Sequence, residues 1–332
     1  MPPLCFVTGA TGFVGRHLVP LLAREYRLRV LVRSGRALPF AADLVGERIE
    51  GDLDDREALA RGVDGACLVV HLAAMVSFRR QDRAAMQRIN VDATAALAAL
   101  ARAASVSRLL HVSTISAIGY SARPEVLDET APFNYGPLRV GYCDTKHAAE
   151  SVVLAEVGRG LDAVIVNPPS MFGAGDRRKG DDSLLTAVID GRLRLAPPGG
   201  LNVANVDDVC AGILAAIARG RSGERYILGG DNLTGSELTA RIAAVVGATA
   251  PRRALPTWLV RIAATLLGAK ERVLGSRPPV TSDILRLAPL FHWYSSAKAE
   301  RELGYVRGPV DAGIAAAVAE LPGRGPGIRG CV

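Results

Sequence analysis

The sequence predicts an α/β protein built on a doubly wound parallel sheet, with a smaller, interleaved C-terminal lobe. Three observations carry that expectation. Short apolar runs alternate with helix-length segments through the first third of the chain, the rhythm of βαβ units. The runs are continuous rather than alternating, as strands covered by helices on both faces are. A glycine-rich turn, Thr8-Gly9-Ala10-Thr11-Gly12-Phe13-Val14-Gly15, lies between the first run and the first helical stretch, as in a Rossmann sheet. Hydrophobic residues make up 49% of the 332 and charged residues 22%, enough for a large core and too little polar bias for disorder.

In chain order, Leu4–Val7 supplies the first strand and Val14–Glu25 the helix after the glycines. Leu28–Val32 is a second strand, and Asp52, in Glu50-Gly51-Asp52-Leu53, follows a third. Arg56–Arg61 forms a short helix, Cys67–Ala73 a buried strand, Ala84–Ala104 an alanine-rich helix and Leu109–Ser113 the next strand. Beyond about residue 166 the texture changes, with Pro168-Pro169, Gly173–Gly180 and Pro197–Gly200 marking loops. Leu201–Val209 reads as a strand, Cys210–Ala218 as a buried helix, Tyr226–Leu228 as a strand and Ser236–Val246 as a helix. Pro256–Leu274 is apolar and helical, interrupted by Arg261, and a last helix runs near Val310–Leu321. A dinucleotide-binding domain is therefore expected over 1–166, with 201–228 returning to it, and a substrate lobe over 167–332.

Forty Lys and Arg against 33 Asp and Glu give a net charge of +7. The positives are dispersed; the tight clusters are only Arg79-Arg80, Arg177-Arg178-Lys179 and Arg252-Arg253. Aromatics are 5%, too few for a base-stacking platform, so no nucleic-acid partner is expected. The five cysteines form no CxxC pair and the histidines no metal-ligand spacing, which fits a reducing cytoplasm and predicts no metal. The N-terminal residues lack a signal-peptide pattern, and no apolar stretch approaches the roughly 20 residues of a membrane span. Secretion and membrane insertion are not expected, and any membrane contact is at most peripheral.

Chemistry concentrates in a few places. Gly9, Gly12 and Gly15, with Thr11, Phe13 and Val14 between them, let the backbone approach a pyrophosphate at a helix N-terminus. After the second strand, where NAD sites place an acid, the chain reads Val32-Arg33-Ser34-Gly35-Arg36. Arg33 and Arg36 therefore favour NADP, with NAD as the other candidate, although an arginine here is also compatible with simple solvation. Asp52, beside Leu53, suits an adenine amino group or the cap of the next helix. Tyr142 and Lys146 stand at i and i+4, so the ammonium stabilises a phenolate and Tyr142 can exchange a proton near neutral pH. About 0.08 such pairs are expected by chance, and Tyr294–Lys298 is a second. Tyr142 follows Ser113-Thr114 at the end of a strand, where open α/β sheets bind ligands; Tyr294 has no such strand before it.

Together these residues resemble the extended short-chain dehydrogenase/reductase superfamily, of the NAD-dependent epimerase/dehydratase type. The resemblance rests on TGATGFVG (8–15), His71-Leu72-Ala73-Ala74, Ile89-Asn90-Val91-Asp92-Ala93-Thr94, His111–Thr114, Tyr142/Lys146, Asn167–Gly173 and Val203–Val209. Val32-Arg33, Gly229–Thr234 and the tail 295–305 look most like its dihydroflavonol-4-reductase-like branch, which is also similar to 3β-hydroxysteroid dehydrogenases. The resemblance implies Tyr142 as proton donor and acceptor, Lys146 on the nicotinamide ribose and Thr114 on the substrate oxygen, with Ser113 its neighbouring alternative. It implies cofactor contacts from Leu72, Ala73, Ala74 and Asn90, and from Pro168, Pro169 and Ser170. It implies an NAD(P)-dependent oxidoreductase acting on a ketone or secondary alcohol, and a homodimer through helices 84–104 and 142–157. The run Pro256–Leu274, which can line a pocket, lie on a membrane surface or pack on the core, suggests that the substrate is a fairly apolar small molecule. Two alternatives stand: a nucleotide-sugar epimerase or dehydratase retaining NAD, with Arg177–Lys179 on a diphosphate, and a non-catalytic dinucleotide sensor.

Overall fold

The computed structural model describes residues 2–176, 183–274, 278 and 280–321. β1 (Leu4–Thr8) is buried along its whole length, and Gly9, at φ +75°, turns the chain into α1 (Phe13–Leu22). β2 (Arg27–Val32) and β3 (Glu47–Glu50) follow, then α2 (Arg56–Val63), whose N-cap is Asp55 rather than Asp52: its carboxylate accepts from the Ala58 amide. β4 (Leu68–His71) leads to α3 (Arg83–Met86), a π-helical stretch Gln87–Asp92 and α4 (Ala93–Ala103). The helix expected over 84–104 is thus interrupted by an i→i+5 segment, a feature that composition does not signal.

β5 (Arg108–Val112), β6 (Val126–Leu127), α5 (Gly141–Val157), β7 (Ala163–Asn167) and β8 (Ser170–Phe172) precede α6 (Leu184–Ile189). β9 (Gly200–Asn205) runs directly into α7 (Val206–Arg219). The strand expected over 201–209 therefore stops at Asn205, whose side chain caps α7 by accepting from the Asp207 amide, while Asp207 and Asp208 occupy the favourable first turn. Val206 and Val209 are buried at i, i+3 spacing on a helix, not on alternate residues of a strand. β10 (Arg225–Ile227), β11 (Asp231–Thr234), α8 (Gly235–Val246), α9 (Thr257–Leu274), α10 (Ser282–Leu287), β12 (Phe291–Tyr294), α11 (Ala297–Leu303) and α12 (Asp311–Ala319) complete the chain.

Seven parallel strands form the main sheet in the order β10-β7-β5-β4-β1-β2-β3, so the order reverses between β1 and β4. Its two faces carry separate apolar clusters. One joins Val7, Val30, Val112 and Val166 to Ile213 of α7 and Leu303 of α11. The other joins Phe6, Val69 and Ile165 to Leu97 of α4 and Val153 of α5. A smaller sheet, β11-β9-β12-β6 with β8 beside β9, packs with α6, α8 and α12. Of the segment 201–228, α7 and β10 lie with the main sheet but β9 lies in the smaller one. Among the described residues no helix is long and apolar enough to cross a membrane.

Candidate active site

An elongated cavity of about 650 Å³ opens at the carboxyl ends of β1 and β4, where the strand order reverses. One wall is the turn Gly9–Gly15. A side chain at Gly9 would strike the Ala73 amide nitrogen at 2.5 Å, and one at Gly15 the Ala10 carbonyl at 2.4 Å. At Gly12, the N-cap of α1, it would meet only the Gly9 carbonyl at 3.1 Å. Two glycines thus serve close packing, and the middle one leaves backbone facing the cavity. The first turn of α1 contains no acid, so amide groups and the helix dipole present a positive end there. That cradle fits a pyrophosphate.

Arg33, Arg36, Asp52 and Leu53 line the far end. Arg33 and Arg36 are exposed, and among the described residues neither guanidinium is engaged by an acid. The nearby Glu50 is committed to Arg48 at 3.3 Å and to the Ser34 hydroxyl at 3.2 Å. Asp52 accepts from the Leu53 amide at 2.8 Å, which fixes its own turn.

Leu72, Ala73 and Ala74 form the middle of the wall, together with Met75 and Val76, which sequence reasoning missed. Asn90 does not line the cavity. Its amide clamps the Met75 backbone, accepting from the amide at 2.7 Å and donating to the carbonyl at 2.9 Å, and also donates to Thr145 Oγ1 at 3.2 Å. It therefore holds the wall rather than forming it. Its neighbour Ile89 and Ala85 line the cavity instead.

Asn90 is itself tied into a cross-brace. Thr94 donates to the Asn90 carbonyl at 2.7 Å, so it accepts from His71 Nε2 at 2.9 Å. His71 Nδ1 then accepts the Thr8 hydroxyl at 2.7 Å. Burial, with help from the Lys146 charge, pushes His71 down to about 3, so the ring is a neutral strut joining β1, β4 and the first turn of α4. His111 lies 5.2 Å from it, ring to ring, and is held well below its ordinary value by the same causes.

At the near end stand Ser113, Tyr142 and Lys146, with Pro168 and Met171 opposite. Tyr142 lies on the first turn of α5, with the Phe78 ring edge-on at 5.6 Å. Lys146, one turn later, is 2% exposed and donates to the Val112 carbonyl at 3.0 Å. Burial lowers it to about 8, opposed by the charge of Glu150. Glu150, one turn further and also buried, accepts from Asn167 at 2.6 Å and Arg225 at 3.3 Å; burial raises its carboxyl against those partners. Thr114 is outside the cavity lining. Its hydroxyl accepts from the Ser116 amide at 3.3 Å, which leaves its own proton to donate. Pro169 and Ser170 also lie outside the lining, since the chain enters β8 there and presents Met171 instead.

The second tyrosine–lysine pair is divided between elements. Tyr294 ends β12, its buried hydroxyl donating to the carbonyls of Ile115 (3.2 Å) and Gly119. Lys298 belongs to α11 and is spent on Glu224 at 2.6 Å and the Arg225 carbonyl at 2.9 Å. The basic run Arg177–Lys179 lies outside the described residues.

Residues 5–229 match the model of the NAD dependent epimerase/dehydratase family. The chain is 34% identical over 328 residues to Sterol demethylase protein B of Methylococcus capsulatus, covering 96% of this chain and 98% of that protein. It is 35% identical over 309 residues to the 4-hydroxy-2-methyl-3-oxo-4-farnesyl-3,4-dihydroquinoline-1-oxide ketoreductase of Stigmatella aurantiaca, covering 90% and 91%. The crystal structure of gox2253 superposes with a TM-score of 0.84 at 32% identity, over 96% and 97% of the two chains.

Proposed function

Because the chain belongs to the NAD-dependent epimerase/dehydratase family and is an oxidoreductase, we propose that it uses NADP to interconvert a ketone and a secondary alcohol on a fairly apolar small molecule. One observation carries the reading: a single cavity joins the glycine cradle and two uncommitted arginines at one end to Tyr142 and Lys146 at the other. The dinucleotide, when bound, supplies or accepts the hydride at its nicotinamide. This chain's residues do the rest. Gly12 and the N-terminus of α1 hold the pyrophosphate, and Arg33 and Arg36 neutralise a 2′-phosphate.

Lys146 keeps a positive charge beside Tyr142, favouring phenolate, so Tyr142 gives its proton to the substrate oxygen in reduction and takes it back in oxidation. Thr114, with its free hydroxyl proton, donates to the same oxygen; Ser113 is the neighbouring candidate. The apolar substrate class is supported by the ketoreductase and sterol-related names of the two relatives. A homodimer through α4 and α5 and a cytoplasmic setting complete the reading; Leu154 on α5 is 40% exposed.

The test is a fluorescence titration of NADPH and NADH into wild type and Tyr142→Phe, followed by turnover assays on apolar ketones. Wild type should bind NADPH at least about tenfold more tightly, the margin of one charge-assisted bidentate contact. Tyr142→Phe should lose about 10²–10⁴-fold in turnover while keeping that affinity. A wild type that retains NAD through purification would count instead for an epimerase.

A further inference from the structure

We propose that the outer face of α9 docks onto an anionic lipid bilayer, a surface role that stands independently of the reaction. The helix is apolar on two opposite sides. Val260, Ala264 and Gly268 are buried at i, i+4 and i+8, and this side packs on α10: a side chain at Gly268 would meet Arg286 at 3.0 Å. Turning about 100° per residue, Trp258, Leu259, Ile262, Leu266 and Val273 fall within an arc of about 100° on the opposite side. All five are exposed, Leu266 at 67% and Val273 at 81%. No described element covers them.

The charges around this stripe are of one sign. By the same geometry Arg261 and Arg272 flank it on one side and Lys270 on the other; all three are exposed, as are Arg252 and Arg253 just before the helix. Among the described residues none of the five has an acidic partner. The one acid of the helix, Glu271, is turned away, accepting from the Ser282 amide at 2.9 Å and its hydroxyl at 2.6 Å. An exposed apolar stripe between cations, with a tryptophan at one end, is the pattern of a helix lying in the headgroup region. A second copy of this chain fits poorly, because a two-fold contact would set these cations against their equivalents.

The position suits a protein whose substrate is apolar. α10 carries Leu287 into the cluster of Tyr135, Val140 and Cys143, which Phe78 also joins, and Phe78 touches Tyr142. α9 thus connects through α10 and that cluster to a side chain of the candidate active site.

Co-sedimentation of the full chain with vesicles decides the matter, using phosphatidylcholine alone and phosphatidylcholine mixed with phosphatidylglycerol at low and high salt. Wild type should bind the anionic vesicles, release at high salt and leave neutral vesicles largely unbound. Ile262→Glu with Leu266→Glu should weaken binding by about tenfold or more, as should Arg261→Glu with Arg272→Glu, with circular dichroism unchanged because all four side chains are exposed. Trp258 emission should shift to the blue on binding, and Trp258→Phe should lose the shift. Failure of wild type to bind anionic vesicles at low salt overturns the proposal, as does unchanged binding by either double glutamate variant. A smaller sedimenting species for Ile262→Glu/Leu266→Glu without lipid also overturns it, showing that a second copy covers the face.

Discussion

Burial and Glu150 pull the Lys146 ammonium in opposite directions, and burial wins, leaving it at about 8. A folded-state value below the unfolded one means that the native chain binds fewer protons. The cost of burying this charge is therefore complete below about pH 8 and fades as pH rises toward the unfolded lysine's range. Glu150→Gln removes the opposing anion, so Lys146 should lose its proton at lower pH. The alkaline limb of the pH–rate profile should then move in the acid direction, with cofactor affinity at neutral pH little changed. A limb that stays in place would remove Glu150 from any influence on Lys146. The two tyrosine–lysine pairs separate in the same way. Lys298→Ala breaks an ion pair and a backbone contact, costing about 0.5–1.5 kcal/mol of stability with turnover retained. Lys146→Ala should cripple turnover. Chemical denaturation alongside assays of both variants checks the ranking, and the reverse order would show that Tyr294 and Lys298 are the working pair.

At the scale of elements, the proposed preference for NADP rests on the turn after β2. Arg33→Asp removes an attractive charge from NADP and supplies an acceptor for the NAD ribose. NADPH affinity should fall about ten- to a hundredfold, blunted if Arg36 shares the phosphate, while NADH affinity holds or improves. Titrating both cofactors into the variant reads this directly, and a parallel fall for both would contradict it. This turn and the glycine cradle were legible in the sequence because a backbone that must pass close to something leaves glycine as its mark, and a missing acid is as visible as a present one. Tyr142 was legible through Lys146, one helical turn away. Asn90 stands behind the cavity wall for a physical reason: its buried amide hydrogen-bonds the Met75 backbone, and the π stretch that carries it has no compositional signature. Met75 and Val76 were missed because an apolar wall residue looks like any core residue. β9 ran too long because Val206 and Val209 satisfy a strand pattern until the Asn205 cap is recognised.

For the whole molecule, the main sheet borrows from late in the chain. β10 supplies its last strand, α7 covers one face, and Ala299, Leu303 and Tyr305 fill the same apolar cluster as Val7 and Val166. A fragment of residues 1–166 should therefore be insoluble or molten rather than an independent nucleotide-binding unit. Expressing it beside the full chain and comparing solubility, near-ultraviolet circular dichroism and cofactor binding tests this. A folded fragment that binds NADPH would show that the first 166 residues are self-sufficient.

The same borrowing sets a timetable for synthesis. Between the emergence of β7 and that of Tyr305 the ribosome must add roughly 140 residues, which at about 5–20 residues per second is several seconds to half a minute. α7 emerges partway through that interval, but the part of the face that α11 and Tyr305 will close stays open to its end, in the same apolar cluster as Val7, Val112 and Val166. The nascent chain thus carries an exposed apolar sheet far longer than a helical bundle of equal size would. Its yield in a cell should depend on holding chaperones, and on codon choice after residue 166, more than on the stability of the finished fold.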